Sequence, residues 1–314
     1  MLSRATNDDL DDVTDLYRRA ELDLAGEVTI RPEDIRYRWL DGGLDDTLLV
    51  RDRAGDLVAY AEFHEDTDPW TDELDLYLDA RVHPDRTGEG LATFLLARAE
   101  DRARLAAARR GDDHAVLRTT VVDLDERALA WHGRRGFHFV RHFLQMRLDL
   151  TAAPPAPVWP DGVVPQAVDA DDLRAVWETH QKAFADVPTH LPLTYDEFVD
   201  QRIDRDPGHD LSLWCAAMSG QDVVGVLAAR ATTPEGAESG YVRDLAVLPE
   251  WRRTGVGMAL LRTALTAFWE RGLTGVALEV DDVSLDGATA LYEAAGMQIV
   301  RRRDVVELDV DVPG

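Results

Sequence analysis

The sequence predicts an α+β architecture built twice along one chain. Three observations lead there. Val82–Leu96 reads VHPDRTGEGLATFLL and Val247–Leu261 reads VLPEWRRTGVGMALL, so one strand–glycine loop–helix cassette occurs in two copies. Gly90 and Gly255 lie 165 residues apart, about half of the 314-residue chain, and a repeat of that period means duplication of a whole fold. On both sides of a proline-rich stretch the strand-like and helix-like runs then follow the same order.

In the first half, Leu10, Val13, Leu16 and Tyr17 fall at helical spacing after an N-cap-rich start. LLVRDRAGDLVAYAEF reads as two strands around Ala54-Gly55, and LDLYLDARV as a third. The glycine loop follows, with a helix to about Ala108, the strand VLRTTVV, the short helix ERALAWHGRRG and the alternating strand FHFVRHFLQMRLDL. Five prolines and no periodicity between Thr151 and Gln166 read as a linker. The order then repeats: a helix whose Leu173 answers Leu10, a hairpin around Ser219-Gly220, YVRDLAVLP, loop and helix, GVALEVDD, GATALYEAAG and MQIVRRRDVVELDV. The expected division is therefore 1–150, a linker at 151–166, and 167–314.

Composition narrows the function. A hydrophobic content of 45 % can build two cores of roughly 150 residues each. No apolar run approaches the ~20 residues of a membrane span, and the acidic start MLSRATNDDLDD lacks the order of a secretion signal. We expect a cytoplasmic protein with no membrane partner. Cys215 is the single cysteine, which excludes an intrachain disulfide and a cysteine-based zinc site; in LSLWCAA it reads as a buried strand residue. No metal is expected, because the nine histidines are scattered; His138 and His142 share a strand face without a third ligand nearby. No Ser/His/Asp pattern suggests a hydrolase. The net charge of −26 repels phosphate backbones, so nucleic acid is not an expected partner. An anionic ligand must be held by a local cluster of donors.

The loop Arg252-Arg253-Thr254-Gly255-Val256-Gly257 supplies such a cluster. Glycines without a Cβ let the backbone turn tightly and approach a ligand, and the N–H groups at the helix start suit a diphosphate. Arg252 and Arg253 add charge-assisted donors. No G-K-[ST] follows, so this is not a Walker loop, and a third glycine for a dinucleotide fingerprint is missing.

Strand, V-x-P, Arg, G-x-G and amphipathic helix together resemble the GNAT superfamily of N-acetyltransferases, whose motif R/Q-x-x-G-x-G/A is matched by Arg252, Gly255 and Gly257. The resemblance continues to Leu278, Val280, Ala288, Leu291, Tyr292 and Gly296, with Ser284 in the usual Asn slot and Met297 for Phe. It implies two tandem GNAT folds, each a mixed, mostly antiparallel sheet flanked by helices, and acetyl-CoA as co-substrate. CoA-binding residues would be Leu245, Ala246, Val247, Arg252, Arg253, Thr254, Gly255, Val256, Gly257, Met258, Ser284 and Tyr292. The resemblance makes Tyr292 the general acid at the sulfur, and gives the oxyanion a backbone N–H near Ala246 or Val247, at a bulge in the fourth strand. Glu238 is the first candidate for the base and Glu279 the next; Asp244 and Asp281 lie on the same strands.

The first copy departs from the motif. Thr87 stands for Arg252, Glu89 for Thr254 and His132 for Tyr292, so this half is expected to be degenerate, with a weak second site at Val82, Gly88, Gly90 and Ala92 at most. The acceptor is expected to be a primary amine on a small molecule or peptide, and the negative field favours a cationic one. A catalytically silent CoA-binding module is the alternative. The acceptor segment AFADVPTHLPLTYDEF carries no readable signature. Two fused halves can imitate a dimer of this family, which favours a monomer over a homodimer.

Overall fold

The computed structural model describes residues 1–26, 28, 30–67, 74–122, 125–187, 190, 192–206, 208–232, 239–281 and 287–312. The chain divides into two units, Met1–Arg141 with Arg303–Gly314, and His142–Arg302.

The first unit contains β1 (Leu2–Ser3), α1 (Leu10–Ala25), α2 (Pro32–Gly42), β2 (Thr47–Arg51), β3 (Leu57–Thr67), β4 (Leu74–Val82), α3 (Leu91–Arg110), β5 (His114–Val122), α4 (Glu126–Gly133) and the start of β6 (His138–Asp149). A Thr6–Asp9 capping box precedes α1, and Gly26 at φ 74° ends it in the left-handed conformation that lacks a penalty only for glycine. β1 to β4 pair antiparallel in sequence order, and β4 and β5 pair in parallel. Helices cover both faces. Val13, Leu16 and Tyr17 of α1 pack with Ile35 and Trp39 of α2 against Leu49 and Tyr60. On the other face α3 presents Leu95, Leu96, Ala99, Ala103 and Ala106, small residues that let the helix lie close to the sheet.

The second unit contains β7 (Val163–Ala167), α5 (Leu173–Phe184), α6 (Tyr195–Val199) with a π-helical turn at Asp200–Asp204, β8 (Cys215–Ser219), β9 (Asp222–Arg230), β10 (Ser239–Val247), α7 (Val256–Glu270), β11 (Gly275–Asp281), α8 (Ala288–Ala294) and the start of β12 (Gln298–Asp311). β7 to β10 are antiparallel neighbours, and β10 and β11 are parallel. α5 and α6 cover one face with Val176, Ala183 and Phe198; α7 and α8 cover the other with Leu260, Leu261, Leu265, Phe268 and Tyr292. Burying each such leucine or phenylalanine contributes about 1.5–3 kcal/mol. One parallel pair in an otherwise antiparallel sheet is the expected mixed architecture, present in each unit.

Unit membership departs from chain order at the last strand of each half. Phe143–Asp149 of β6 pair with β11 inside the second unit. Arg303–Asp311 of β12 pair with β5 inside the first. The proline-rich stretch also differs from a plain linker, because Val163–Ala167 form β7 against β8. Pro165 fits there since β7 pairs on one side only among the described residues, and an edge strand tolerates the missing N–H. Cys215 is buried in β8, and burial pushes its thiol up to about 11. Among the described residues no helix is long and apolar enough to cross a membrane.

Candidate active site

In the second unit the two parallel strands part company. β10 and β11 pair from Ser239↔Gly275 to Val242↔Leu278, after which the register of β10 against β9 shifts between Val242 and Asp244. The bulge thus falls at Arg243, a few residues before the place expected near Ala246 and Val247. Beyond it Leu245, Ala246 and Val247 pair with β9 alone among the described residues. Their other edge is available to an extended, amide-bearing ligand, as a strand edge is to a strand.

The glycine loop closes this notch. A turn at Pro249–Trp251 leads through Arg252 to Gly255, at φ 102°, which caps α7. Helix geometry leaves the N–H groups of Val256, Gly257 and Met258 without an acceptor inside α7. A Cβ on Gly257 would stand 3.3 Å from Leu291 Cδ2 and 3.7 Å from Val247 Cγ2, so its bareness lets α7 pack beside α8 and β10. Thr254 Oγ1 donates to the Trp251 carbonyl at 2.7 Å.

The two arginines differ. Arg252 donates from Nε to Val247 O (3.3 Å), from Nη2 to Ala183 O (2.7 Å), and from both terminal nitrogens to Asp186 (2.6 and 2.8 Å). The hydrogen bond from Arg252 holds the Asp186 carboxyl below its ordinary value. Arg253 is exposed, makes no ion pair among the described residues, and is the only described non-glycine residue with positive φ, 59°.

Sequence reasoning missed the polar cluster on the opposite face. Leu193 N–H donates to Gln181 Oε1 at 3.0 Å, which fixes the side-chain amide; Gln181 Nε2 then donates to His180 Nδ1 at 3.3 Å. His180 Nε2 in turn donates to Asp244 Oδ1 at 3.4 Å, while Arg202 Nε donates to Asp244 Oδ2 at 2.9 Å. His190 Nε2 donates to Gln181 Oε1 at 3.2 Å, which leaves Nδ1 as its acceptor, and its ring stacks on Phe184 with centroids 5.4 Å apart. Burial, then the neighbouring His180, pushes His190 down to about 4. Burial raises the Asp244 carboxyl, but Arg202 and the hydrogen bond from His180 outweigh it and hold it far below the carboxylate range. Asp244 is therefore a fixed anion, unsuited to taking a proton. Asp244 apart, these residues are spread over α5, the segment after it and the π-helical turn, and that spread hid them.

Tyr292 sits in α8, 8 % exposed, with a hydroxyl that has no hydrogen-bond partner among the described residues. Burial, then the charge of Asp244, holds its pKa above the ordinary tyrosine value, so it remains a donor. Leu278 and Val280 of β11 pack with Tyr292 in one core, and strand alternation turns Glu279 to the other face, the side of Asp244. Glu279 stands opposite Gln145 of β6. Glu238 and Ser284 lie outside the described residues.

The first unit has the loop without the equipment. β3 and β4 stay in continuous register from Ala59↔Val82 to Thr67↔Leu74, so no bulge interrupts β4. Gly88 and Gly90 have φ of 84° and 85°, and Gly90 caps α3 ahead of Ala92. Arg86 is bound by both oxygens of Glu89 (2.8 and 2.9 Å) and by Asp52 (3.0 Å). His132 donates from Nδ1 to Ala128 O in its own helix at 2.8 Å, with its ring edge-on to Trp131 and Phe137.

Paired halves, each with a parallel strand pair opening onto a glycine-capped helix, define an acyltransferase scaffold. The chain belongs to the acetyltransferase (GNAT) family, whose model matches residues 10–137 and 173–297, and it is an N-acetyltransferase; the family uses acyl-CoA co-substrates. A mycothiol acetyltransferase of Thermobispora bispora is 31 % identical over 257 residues, 79 % of each chain. Another from Salinispora tropica is 33 % identical over 259 residues, covering 79 % of this chain and 77 % of that one. Among solved structures, a GCN5-related N-acetyltransferase from Sphaerobacter thermophilus matches with a TM-score of 0.83 and 26 % identity, over 100 % of this chain and 96 % of that one.

Proposed function

We propose that the second unit transfers an acetyl group from acetyl-CoA to a primary amine of a small molecule or peptide. The observation that carries this reading is the bulged, half-unpaired β10 running directly into a glycine-capped helix. In this reading Leu245–Val247 pair with the pantetheine amides, with Ser284 adding a further contact to that arm. The N–H groups of Gly255–Met258 and the backbone of the loop from Arg252 to Thr254 surround the diphosphate, with Arg253 exposed beside it. The amine nitrogen attacks the thioester carbonyl carbon, a backbone N–H near Ala246 steadies the oxyanion, and the carbon–sulfur bond breaks as Tyr292 donates to the leaving sulfur. The amine's proton passes to Glu238 or Glu279. The first unit is the structural partner, with a weak second site at Val82, Gly88, Gly90 and Ala92 at most. The protein works as a cytoplasmic monomer without metal, nucleic acid or membrane.

Free-thiol release from acetyl-CoA across an amine panel tests this directly. A mycothiol-type acceptor belongs in the panel, because relatives carry the name mycothiol acetyltransferase. Release that depends on one amine, lost in Tyr292→Phe and largely kept in Arg86→Ala, supports the assignment. CoA binding without release from any amine would leave a silent binding module instead.

A further inference from the structure

We propose that the two adjacent loop arginines divide the work: Arg252 is a positioning residue that fastens the glycine loop to the acceptor-side helix α5, and Arg253 alone turns its cation to the diphosphate. This rests on the acyl-CoA reading of the second unit.

Arg252 is committed elsewhere. Two of its acceptors are backbone carbonyls, Val247 O where β10 enters the loop and Ala183 O at the end of α5. Ala183 O belongs to the last turn of α5, whose carbonyls lack helical partners and whose dipole is negative, so a guanidinium fits there as a cap. Asp186 adds a two-pronged ion pair just past the helix end. Alone, that half-exposed pair would be weak, but the carbonyls share the grip. Facing a diphosphate would strip the guanidinium of all these partners at once.

The fastening reaches the acceptor face. α5 also carries Phe184, stacked on His190, and the His180–Gln181 pair that leads to Asp244. Arg252 thereby holds the loop in register with the residues beneath the notch.

Arg253 has the opposite character. It is exposed, without an ion pair among the described residues, and held in the left-handed region that a Cβ disfavours. At the same loop position the first cassette has Gly88, at φ 84°, where the conformation carries no such penalty. There Thr87 replaces Arg252 and its hydroxyl bonds to the nearby Pro84 carbonyl, while Arg86 is taken up by Glu89 and Asp52, so that loop has no spare cation. A side chain kept where glycine serves the backbone better is kept for what it reaches.

The test is calorimetric CoA binding at low and high potassium chloride, with thermal melting of each variant. Arg253→Gly should weaken CoA about tenfold and flatten the salt dependence, while melting no lower than wild type. Arg252→Lys keeps the charge but loses the fork; CoA binding should stay within about threefold with its salt dependence intact, while acetyl transfer to the amine selected by the panel drops at least about tenfold. Asp186→Asn frees the guanidinium and should not tighten CoA. Wild-type salt dependence in Arg253→Gly, tighter CoA in Asp186→Asn, or a greater loss of CoA in Arg252→Lys than in Arg253→Gly would overturn the division. If wild type binds no CoA at all, the acyl-CoA reading fails instead.

Discussion

Asp79 and Asp244, 165 residues apart, hold the same place in their units, each gripped by the first two helical segments. Asp79 accepts from Tyr17 of α1 at 3.0 Å and from Arg38 of α2; Asp244 accepts from His180 of α5 and from Arg202 beyond α6. The units diverge two residues later. Arg81 covers the Tyr17 ring at 4.7 Å and also bonds Asp79, whereas Ala246 stands at the matching place in β10. The first unit thus carries a second arginine where the second has a buried alanine.

Asp79→Asn should therefore act on stability alone. Arg38 and Arg81 would lose a shared, part-buried counter-ion; with both guanidiniums about a third exposed, the cost should fall below that of a fully buried pair, at about 1–3 kcal/mol. Urea unfolding reads this directly. A loss below about 1 kcal/mol would show the triad to be solvent-screened.

Tyr292→Phe should lower turnover about 10²–10³-fold with CoA affinity nearly unchanged, the usual scale for losing a positioned proton donor. Burial and the Asp244 charge keep the hydroxyl protonated beyond the ordinary tyrosine range. Tyr292 should then produce no alkaline fall in kcat below about pH 10. An alkaline limb near pH 8 that vanishes in the variant would contradict this.

Gly240→Ala tests the packing behind the site. A Cβ on Gly240 in β10 would stand 2.6 Å from Phe268 Cδ1, inside a ring that is fully buried in α7. Overpacking of this kind costs about 1–3 kcal/mol. The melting temperature should drop, with no comparable effect for Gly220→Ala, whose Cβ would meet open space, beyond the local strain of φ 63°.

His190 gives a pH signature. Its folded pKa, about 4, lies below the ordinary 6.5, so the unfolded chain takes up this proton first as pH falls. Its contribution is complete above about pH 6.5, where both states are neutral, and is lost progressively toward pH 4. Because the ring is partly solvated, the effect should be no more than about 1 kcal/mol. The stability difference between wild type and His190→Asn, followed by urea unfolding from pH 7 to 4, should shift against wild type. A difference independent of pH would mean that His190 titrates normally.

Much of this fold can be read from the chain. Glycines at 255 and 257 mark where backbone must turn left-handed or lie bare against Leu291, and that demand is local. Tyr292 was suggested by the motif that carries the family resemblance, and Glu279 by its place on the strand before it. The fastening of Arg252 was not legible, since nothing near the motif announces an acceptor 66 residues upstream. His180, Gln181, His190 and Arg202 escaped for the same reason: each is an ordinary polar residue until the fold gathers them under β10. The strand in 163–167 was hidden by Pro165 and the prolines ahead of it, and an edge position excuses Pro165. Strand alternation likewise says which side chains face inward but not which sheet a terminal strand joins.

That last point bears on synthesis. A ribosome releases this polypeptide from the front, yet the first unit cannot seal its sheet until Arg303–Asp311 emerge, long after β5 itself has been made. Until then the free edge of β5 is an aggregation hazard. Neither half should survive being cloned alone, and a stop ahead of Arg303 would undo the beginning of the molecule.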